Sequence, residues 1–289
     1  MKTSKRKALR DLIARKEVIM APGAYDALSA RLIQAAGFEM VGTTGYGMHG
    51  SILGVPDNGM LAFNEMVAMC GNMANAIDIP MMADAEGGYG NATNTIRTVQ
   101  EFERAGVAGI FIEDQQLPPN CPFIKKPTTI SVEEMCGKIR AACDARQDPD
   151  FVICARTDAP FDEAIERAKE YLKAGADMIK IIPKTRQELE ILPTKLSCPL
   201  HLGFFTNSDQ NAGLTAWDAG KMGYTIVTFP LTPLFIGTKA IYEGLKKIKE
   251  QGNDEGVVRD MMMPFAEYLK IVDVDKYIEY DKRYGAGEK

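Results

Sequence analysis

The sequence predicts a (β/α)8 barrel of the TIM type, an α/β fold, carrying a helical extension at its C-terminal end. Three observations predict it. First, eight short apolar runs begin near Val18, Phe38, Pro80, Gly109, Phe151, Asp177, Pro199 and Tyr224. They are rich in Val, Ile, Met and Phe without polar alternation, as strands buried on both faces of a parallel sheet are. Second, one phrase recurs: a helix closing in a small or apolar residue plus Gly, then directly a strand. Its copies are Ala36-Gly37, Ala105-Gly106, Ala174-Gly175 and Met222-Gly223, and the Gly supplies the left-handed turn that ends a helix. Third, the first three copies lie 69 residues apart with another strand between them, so each repeat holds two strand–helix units. Eight such units in about 250 residues is the size of a barrel. An open doubly wound sheet is the competing arrangement of the same units.

The elements follow in order. Met1 to Lys16 is basic, with Leu9, Leu12 and Ile13 on one face of an amphipathic first helix. It lacks the apolar core of a signal peptide. The first strand is VIMAPG, Val18 to Gly23. The intervening strands PMMADAE, FVICARTD and PLHLGF are each preceded by turn chemistry, such as Asp148-Pro149-Asp150. After the Tyr224 strand a helix runs from Leu234 to Gln251, and a further helical tail from Glu255 to Lys289 exceeds what the barrel needs. Residues 1–289 are therefore expected to form a single barrel domain (barrel about 17–250, tail about 251–289), with the tail free to meet a partner.

Composition excludes several classes. Apolar residues make up 46% and charged residues 25%, ordinary globular usage that rules out collagen-like, coiled-coil and disordered chains. A net charge of −5 (34 basic, 39 acidic) is the wrong sign for a phosphate-backbone binder, so no nucleic-acid partner is expected. No apolar run is long enough to span a membrane, so no membrane partner is expected either. The six cysteines, Cys70, Cys121, Cys136, Cys143, Cys154 and Cys198, show no CxxC and no metal-ligand pairing. They predict a reducing, cytoplasmic setting. Only His49 and His201 exist, which excludes a His-rich zinc site. His49 reads as a surface residue and His201 as a satisfied core residue.

The chemistry is expected at the C-terminal ends of the strands. The third strand ends in Asp84-Ala85-Glu86, the fourth in Glu113-Asp114-Gln115 and the fifth in Arg156-Thr157-Asp158; the loop after the second carries Asp57. Carboxylates from neighbouring strands repel unless a cation neutralises them. Hard oxygen ligands without His or Cys suit Mg²⁺, or Mn²⁺ as a close second. Any one of these acids alone is also a good helix N-cap. Arg156 is the lone cation in this half, its fork suited to a carboxylate or a developing oxyanion, or to one of the acids as a structural partner. Thr43-Thr44-Gly45-Tyr46-Gly47 follows the second strand, its Gly residues letting backbone amides approach an anion and Tyr46 reaching inward as a donor. Turns look the same as a bare pattern. Cys121 sits in a long Pro-rich segment running to Ser131, a plausible lid at the barrel mouth. It reads equally as a catalytic thiol and as a chance loop residue.

At these residues the chain resembles the isocitrate lyase / phosphoenolpyruvate mutase superfamily, and more closely its methylisocitrate lyase, dimethylmalate lyase and carboxyphosphonoenolpyruvate mutase branch. The matching text is APGAYDALSARLIQAAGF, TTGYG…LGVPD, ADAEGGYGNA, IEDQ, ISVEEMCGKIRAA and DPDFVICARTDA, covering residues 8–175 well and the rest weakly. The resemblance implies a barrel whose last helix is swapped between subunits of a homo-oligomer, a dimer or a dimer of dimers (a homotetramer). It implies Mg²⁺ held, partly through waters, by Asp57, Asp84, Glu86 and Glu113, and a 2-oxo or 2-hydroxy acid substrate whose carboxylate meets the Thr44-Gly45-Tyr46 backbone. It implies chemistry through an enolate stabilised by Mg²⁺ and Arg156. Tyr46, or a water on the metal, would take the hydroxyl proton, and Cys121 would return a proton to the leaving enolate.

The chain departs from that pattern. Lyases of the family carry Lys-Lys/Arg-Cys-Gly-His on the gating loop, whereas this chain reads Pro119-Asn120-Cys121-Pro122-Phe123. Where they use a Glu on the sixth strand and an Asn on the seventh, this chain has Ile182 and Gly203. The side facing the distal carboxylate is thus expected to be apolar, and Glu86 replaces an Asp with one more methylene. The expected activity is a Mg²⁺-dependent carbon–carbon lyase acting on a methylisocitrate- or dimethylmalate-like 2-hydroxy acid, the smaller diacid fitting better. Alternatives are an oxaloacetate decarboxylase or hydrolase, a phosphonate mutase acting on a P–C bond, and a non-catalytic small-acid binder.

Overall fold

The computed structural model describes residues 4–119, 127–205, 208–255, 259 and 261–285. The chain divides into two compact units, Met1–Pro233 and Leu234–Lys289. That division falls earlier than the expected step from barrel to tail near residue 250.

The first unit opens with α1 (Lys5–Ala14) and then alternates strand and helix: β1 (Ile19–Ala24), α2 (Ala27–Ala35), β2 (Val41–Thr43), α3 (Gly45–Ile52), α4 (Phe63–Ala76), β3 (Met81–Asp84), α5 (Ala92–Arg104), β4 (Gly109–Glu113) and α6 (Val132–Ala145). It continues with β5 (Val152–Thr157), α7 (Phe161–Lys173), β6 (Met178–Ile181), α8 (Arg186–Lys195), β7 (Leu200–Gly203), α9 (Ala216–Met222) and β8 (Ile226–Phe229). The strands pair in parallel in chain order, and β8 returns to β1, so the barrel is closed. All eight expected strands are present, each beginning no more than three residues after its expected start. The open sheet is excluded.

Local chemistry explains the alternation. Asp26, Thr44, Asn91, Ser131, Thr185 and Thr215 cap helices with side-chain acceptors on backbone N–H groups. The recurring Gly ends its helix each time with φ between +89° and +114°, at Gly37, Gly106, Gly175 and Gly223. A side chain there would be strained, so the turn into the next strand depends on Gly.

Two cores result. The larger lies between strands and outer helices, with Phe102, Met73, Tyr171 and Leu189 fully buried. The smaller fills the barrel itself: Ile19, Met40, Met82, Phe111, Cys154, Met178 and Ile226, together with Leu9 and Leu12 of α1. Helix α1 covers the N-terminal end of the barrel, since Arg10 donates to the Asp150 and Phe151 carbonyls and pairs with Asp177 at 3.0 Å, just ahead of β5 and β6. Burying a leucine stabilises by about 1.5–3 kcal/mol.

The second unit holds most of α10 (Thr232–Gln251), then α11 (Phe265–Ile271) and α12 (Val274–Tyr284), none with a buried residue. Phe235, Ile236, Ile241, Tyr242, Leu245 and Phe265 are all exposed. Among the described residues no helix is long and apolar enough to cross a membrane.

Candidate active site

The site forms where β2 to β5 end. Strand β2 stops at Thr43, whose hydroxyl accepts the Asp84 backbone N–H at 2.8 Å and so ties β2 to the end of β3. Thr44 caps α3 through the Gly47 N–H, 3.2 Å from its hydroxyl. The Thr44-Gly45-Tyr46 segment expected to greet an anion is therefore the N-terminus of a helix, where unpaired amides and the helix dipole favour negative charge. Thr44 and Gly45 are buried and Tyr46 is half-buried.

Three carboxylates converge on Gly45. A β-carbon added there would lie 3.3 Å from Asp84 Oδ2, 3.4 Å from Glu86 Oε1 and 3.7 Å from Asp57 Oδ2. Only glycine leaves that space open. Glu86 is held with φ +49°, a conformation rare outside glycine, and its backbone N–H donates to Asp84 Oδ1 at 2.9 Å. Glu113 joins from β4. Its oxygen lies 2.9 Å from Arg156 Nη1, and Arg156 Nη2 lies 2.9 Å from Asp158 Oδ2. Gln115 Nε2 donates to the same Asp158 oxygen at 2.9 Å. Asp114 turns the other way, to Tyr171 and Arg167, and serves packing.

The carboxylates repel one another in a dry setting. Burial, reinforced by Asp84, Glu113 and Asp57, pushes Glu86 well above the usual carboxylate range. Burial also lifts Glu113 to about 8; Arg156 opposes this, and Asp158 and Asp84 add to it. Asp57 is raised by burial and then by Asp84. Burial works against the Arg156 cation, but Asp158 and Glu113 outweigh it and raise its pKa, so it stays charged.

The donor set fits a hard divalent cation of a particular kind. No three His, Cys, Asp or Glu among the described residues close tightly enough to hold a metal directly. Mg²⁺ rarely needs that, since it keeps several waters and uses one or two carboxylates. An all-oxygen cluster with surplus negative charge around an open space at Gly45 matches that mode.

Several residues stand differently from their sequence expectation. His49 is buried, not on the surface: Nδ1 donates to the Gly45 carbonyl at 2.9 Å and lies 3.4 Å from Asp57 Oδ1, while Nε2 accepts the Leu61 N–H. Its helical position four residues after Gly45 was the available signal. His201 is buried but only half satisfied, because Nε2 meets the Thr228 hydroxyl at 3.1 Å and Nδ1 has no partner among the described residues. The side expected to be apolar is so only at its rim, where the Phe205 ring fills the space that a side chain at Gly203 would take, at 2.9 Å. Deeper, β6 and β7 place Lys180 and His201 inside the barrel. Lys180 is the site group that sequence reasoning passed over, and Asp158, read there as a strand-end carboxylate, turns out to hold Arg156. Cys121 lies outside the described residues.

A closed parallel barrel with a carboxylate cluster and one arginine at the C-terminal ends of its strands is the arrangement of a barrel enzyme's active site. The phosphoenolpyruvate phosphomutase family model matches residues 9–249, and the chain belongs to that family, within the phosphoenolpyruvate mutase / isocitrate lyase superfamily. It is 40% identical over 288 residues to the 2,3-dimethylmalate lyase of Eubacterium barkeri, covering 96% of this chain and 98% of that one. It is 35% identical to the 2-methylisocitrate lyase of Aeropyrum pernix, covering 95% and 88%. Among solved structures, oxaloacetate acetylhydrolase with the inhibitor 3,3-difluorooxalacetate superposes with TM-score 0.91 at 31% identity, covering 99% and 98%. Phosphonopyruvate hydrolase with oxalate and Mg²⁺ gives TM-score 0.88 at 28% identity, covering 98% and 99%. The chain is thus an enzyme of a superfamily whose members act on small carboxylates.

Proposed function

We propose that this chain is a Mg²⁺-dependent carbon–carbon lyase that cleaves a small 2-hydroxy diacid of the dimethylmalate kind to a 2-oxo acid and a second acid. The observation that carries this reading is the carboxylate cluster around Gly45 beside the Arg156 fork. The 40% identity to a dimethylmalate lyase supports the substrate class.

Asp57, Asp84, Glu86 and Glu113 would hold Mg²⁺, mostly through water, and the ion would supply Lewis-acid stabilisation of negative charge on oxygen. The chain's own groups do the rest. The N-terminal amides of α3 at Thr44-Gly45-Tyr46 bind the substrate carboxylate next to the carbinol carbon. Tyr46 removes the hydroxyl proton. As the C–O bond becomes a carbonyl, the adjacent C–C bond breaks and its electron pair passes to the departing carbon, giving an enolate of the second acid. Cys121 returns a proton to that carbon. Arg156, fixed by Glu113 and Asp158, offsets charge as it develops. His49 orients Asp57 without touching substrate. The exposed apolar helices of the second unit would be exchanged between subunits of a homo-oligomer in the cytoplasm.

A proton NMR time course tests this, with dimethylmalate, methylisocitrate, isocitrate, oxaloacetate and phosphonopyruvate, each with Mg²⁺ and with EDTA. The expected result is Mg²⁺-dependent pyruvate plus a second acid from dimethylmalate. Turnover of oxaloacetate alone would replace the lyase reading with a decarboxylase or hydrolase, as the likeness to oxaloacetate acetylhydrolase allows. Release of phosphate or a rearranged phosphonate would replace it with P–C chemistry.

A further inference from the structure

A row of four residues crosses the barrel interior at one level. Glu113 pairs with Arg156, Arg156 with Lys180, and Lys180 with His201 along β4 to β7. Paired residues of parallel strands share a face, so Lys180 and His201 point inward as Arg156 does. Lys180 is 8% exposed, beside 9% for Arg156 and 9% for Glu86. It is therefore as deep as the recognised site groups, and no deeper.

Its surroundings are unusual for a buried cation. Lys180 Nζ lies 3.7 Å from the centre of the Phe111 ring, and among the described residues the Asp84 and Asp158 carboxylates act on it without a hydrogen bond or close ion pair. A buried ammonium normally has a paired anion. On the next strand, His201 Nδ1 is buried and without a partner among the described residues, with the His201 ring edge-on to Phe111 at 5.9 Å. Burial, then the nearby Lys180 and Arg156 charges, hold that imidazole neutral. Both sides of the Arg156 fork already meet Glu113 and Asp158, so it has no free pair of donors to grip a further carboxylate, although its charge still acts at the reacting centre. An ammonium held over a ring and an unpartnered imidazole nitrogen thus adjoin Arg156, on the side where Ile182 and Gly203 remove the polar groups expected there.

We propose that Lys180 receives the second anionic group of the substrate and makes the site selective for dianionic 2-oxo or 2-hydroxy diacids over monoanions. This rests on the proposed function to the extent that the substrate is a small oxo or hydroxy acid bound with Mg²⁺. Lys180 is a specificity residue, acting through its ammonium. Burial lowers the Lys180 pKa to about 8, which leaves the ammonium mostly charged at neutral pH.

The test is isothermal titration of the full chain with Mg²⁺, using three non-cleaved probes. Oxalate reports the metal end of the site. 3,3-Difluorooxaloacetate and difluoropyruvate differ only in the second carboxylate. The wild type is expected to bind the dianion at least about tenfold tighter than the monoanion. Lys180→Met keeps an apolar chain over Phe111, and should reduce that preference to about threefold or less while oxalate affinity changes by less than about twofold. Lys180→Arg should restore part of the preference. A preserved preference in Lys180→Met overturns the proposal. So does parallel weakening of oxalate, which marks a general electrostatic or packing role. Wild-type protein that binds none of the probes overturns the proposed function itself, a separate result from either.

Discussion

Arg156 illustrates how single residues are placed for work. Its guanidinium bridges Glu113 and Asp158, both almost fully buried, and a lysine cannot reproduce that fork. Arg156→Lys is expected to lower kcat about 100-fold with a smaller change in KM, as loss of a positioned charge donor does, measured by steady-state turnover. Gly45 acts by having no side chain. Gly45→Ala puts a methyl within 3.7 Å of three carboxylate oxygens and should weaken Mg²⁺ affinity about tenfold while leaving the melting temperature nearly unchanged. Calorimetric Mg²⁺ titration and thermal unfolding check both halves. Cys121 carries the proposed proton return; Cys121→Ser should cost about 100-fold in kcat, and full retention of turnover would remove the thiol from the mechanism.

At the scale of elements, the barrel depends on a helix outside its repeat. Helix α1 supplies Leu9 and Leu12 to the floor of the barrel core and anchors Arg10 on the loops before β5 and β6. Leu9 is fully buried, so Leu9→Ala should destabilise by about 2–4 kcal/mol, read from denaturant unfolding with an unchanged m-value. Helix α3 has the opposite function. Its eight residues make few energetic demands, but its N-terminus sits against the carboxylate cluster, so an anion and a cation can be bound side by side. The Asp84 N–H to Thr43 bond and the Glu86 turn lock that neighbourhood before any ligand arrives.

For the whole molecule, the cluster links stability to pH and to metal. Glu113 titrates near 4.5 when unfolded and at about 8 when folded without metal, burial being the main cause. Its raised pKa contributes stability that is complete below pH 4.5 and is lost as pH rises through 8. Glu86 and Asp57 shift in the same direction. The metal-free protein should therefore melt lower at pH 8 than at pH 6. Mg²⁺ binds the ionised carboxylates, so its addition should raise the melting temperature more at pH 8 than at pH 6. Scanning fluorimetry at both pH values, with Mg²⁺ and with EDTA, reads this directly; an equal metal effect at both would separate the cluster from cation binding. The uncovered apolar residues of the second unit belong to the same scale. Ile241→Glu should shift the assembly toward smaller species in sedimentation velocity, if these helices are exchanged between subunits.

The sequence by itself determined the strand–helix alternation, because each strand's unbroken apolar run and each helix-ending Gly act locally, at Gly37, Gly106, Gly175 and Gly223 alike. It also determined which charged residues end the strands, since the position of Asp84, Glu86, Glu113 and Arg156 after their apolar runs is visible without coordinates. Tertiary structure alone decided what those groups meet. Barrel closure sets the register that brings Glu113, Arg156, Lys180 and His201 into one row, and pairing between strands tens of residues apart leaves no mark in local pattern. Lys180 and His201 each sit inside an apolar run, which hides the first and makes the second read as core. His49 reads as loop until α3 turns it under Asp57. Apolar patterning reports which residues avoid water; the partner of a buried charge is fixed by the closed barrel's geometry, through contacts between strands remote in the chain.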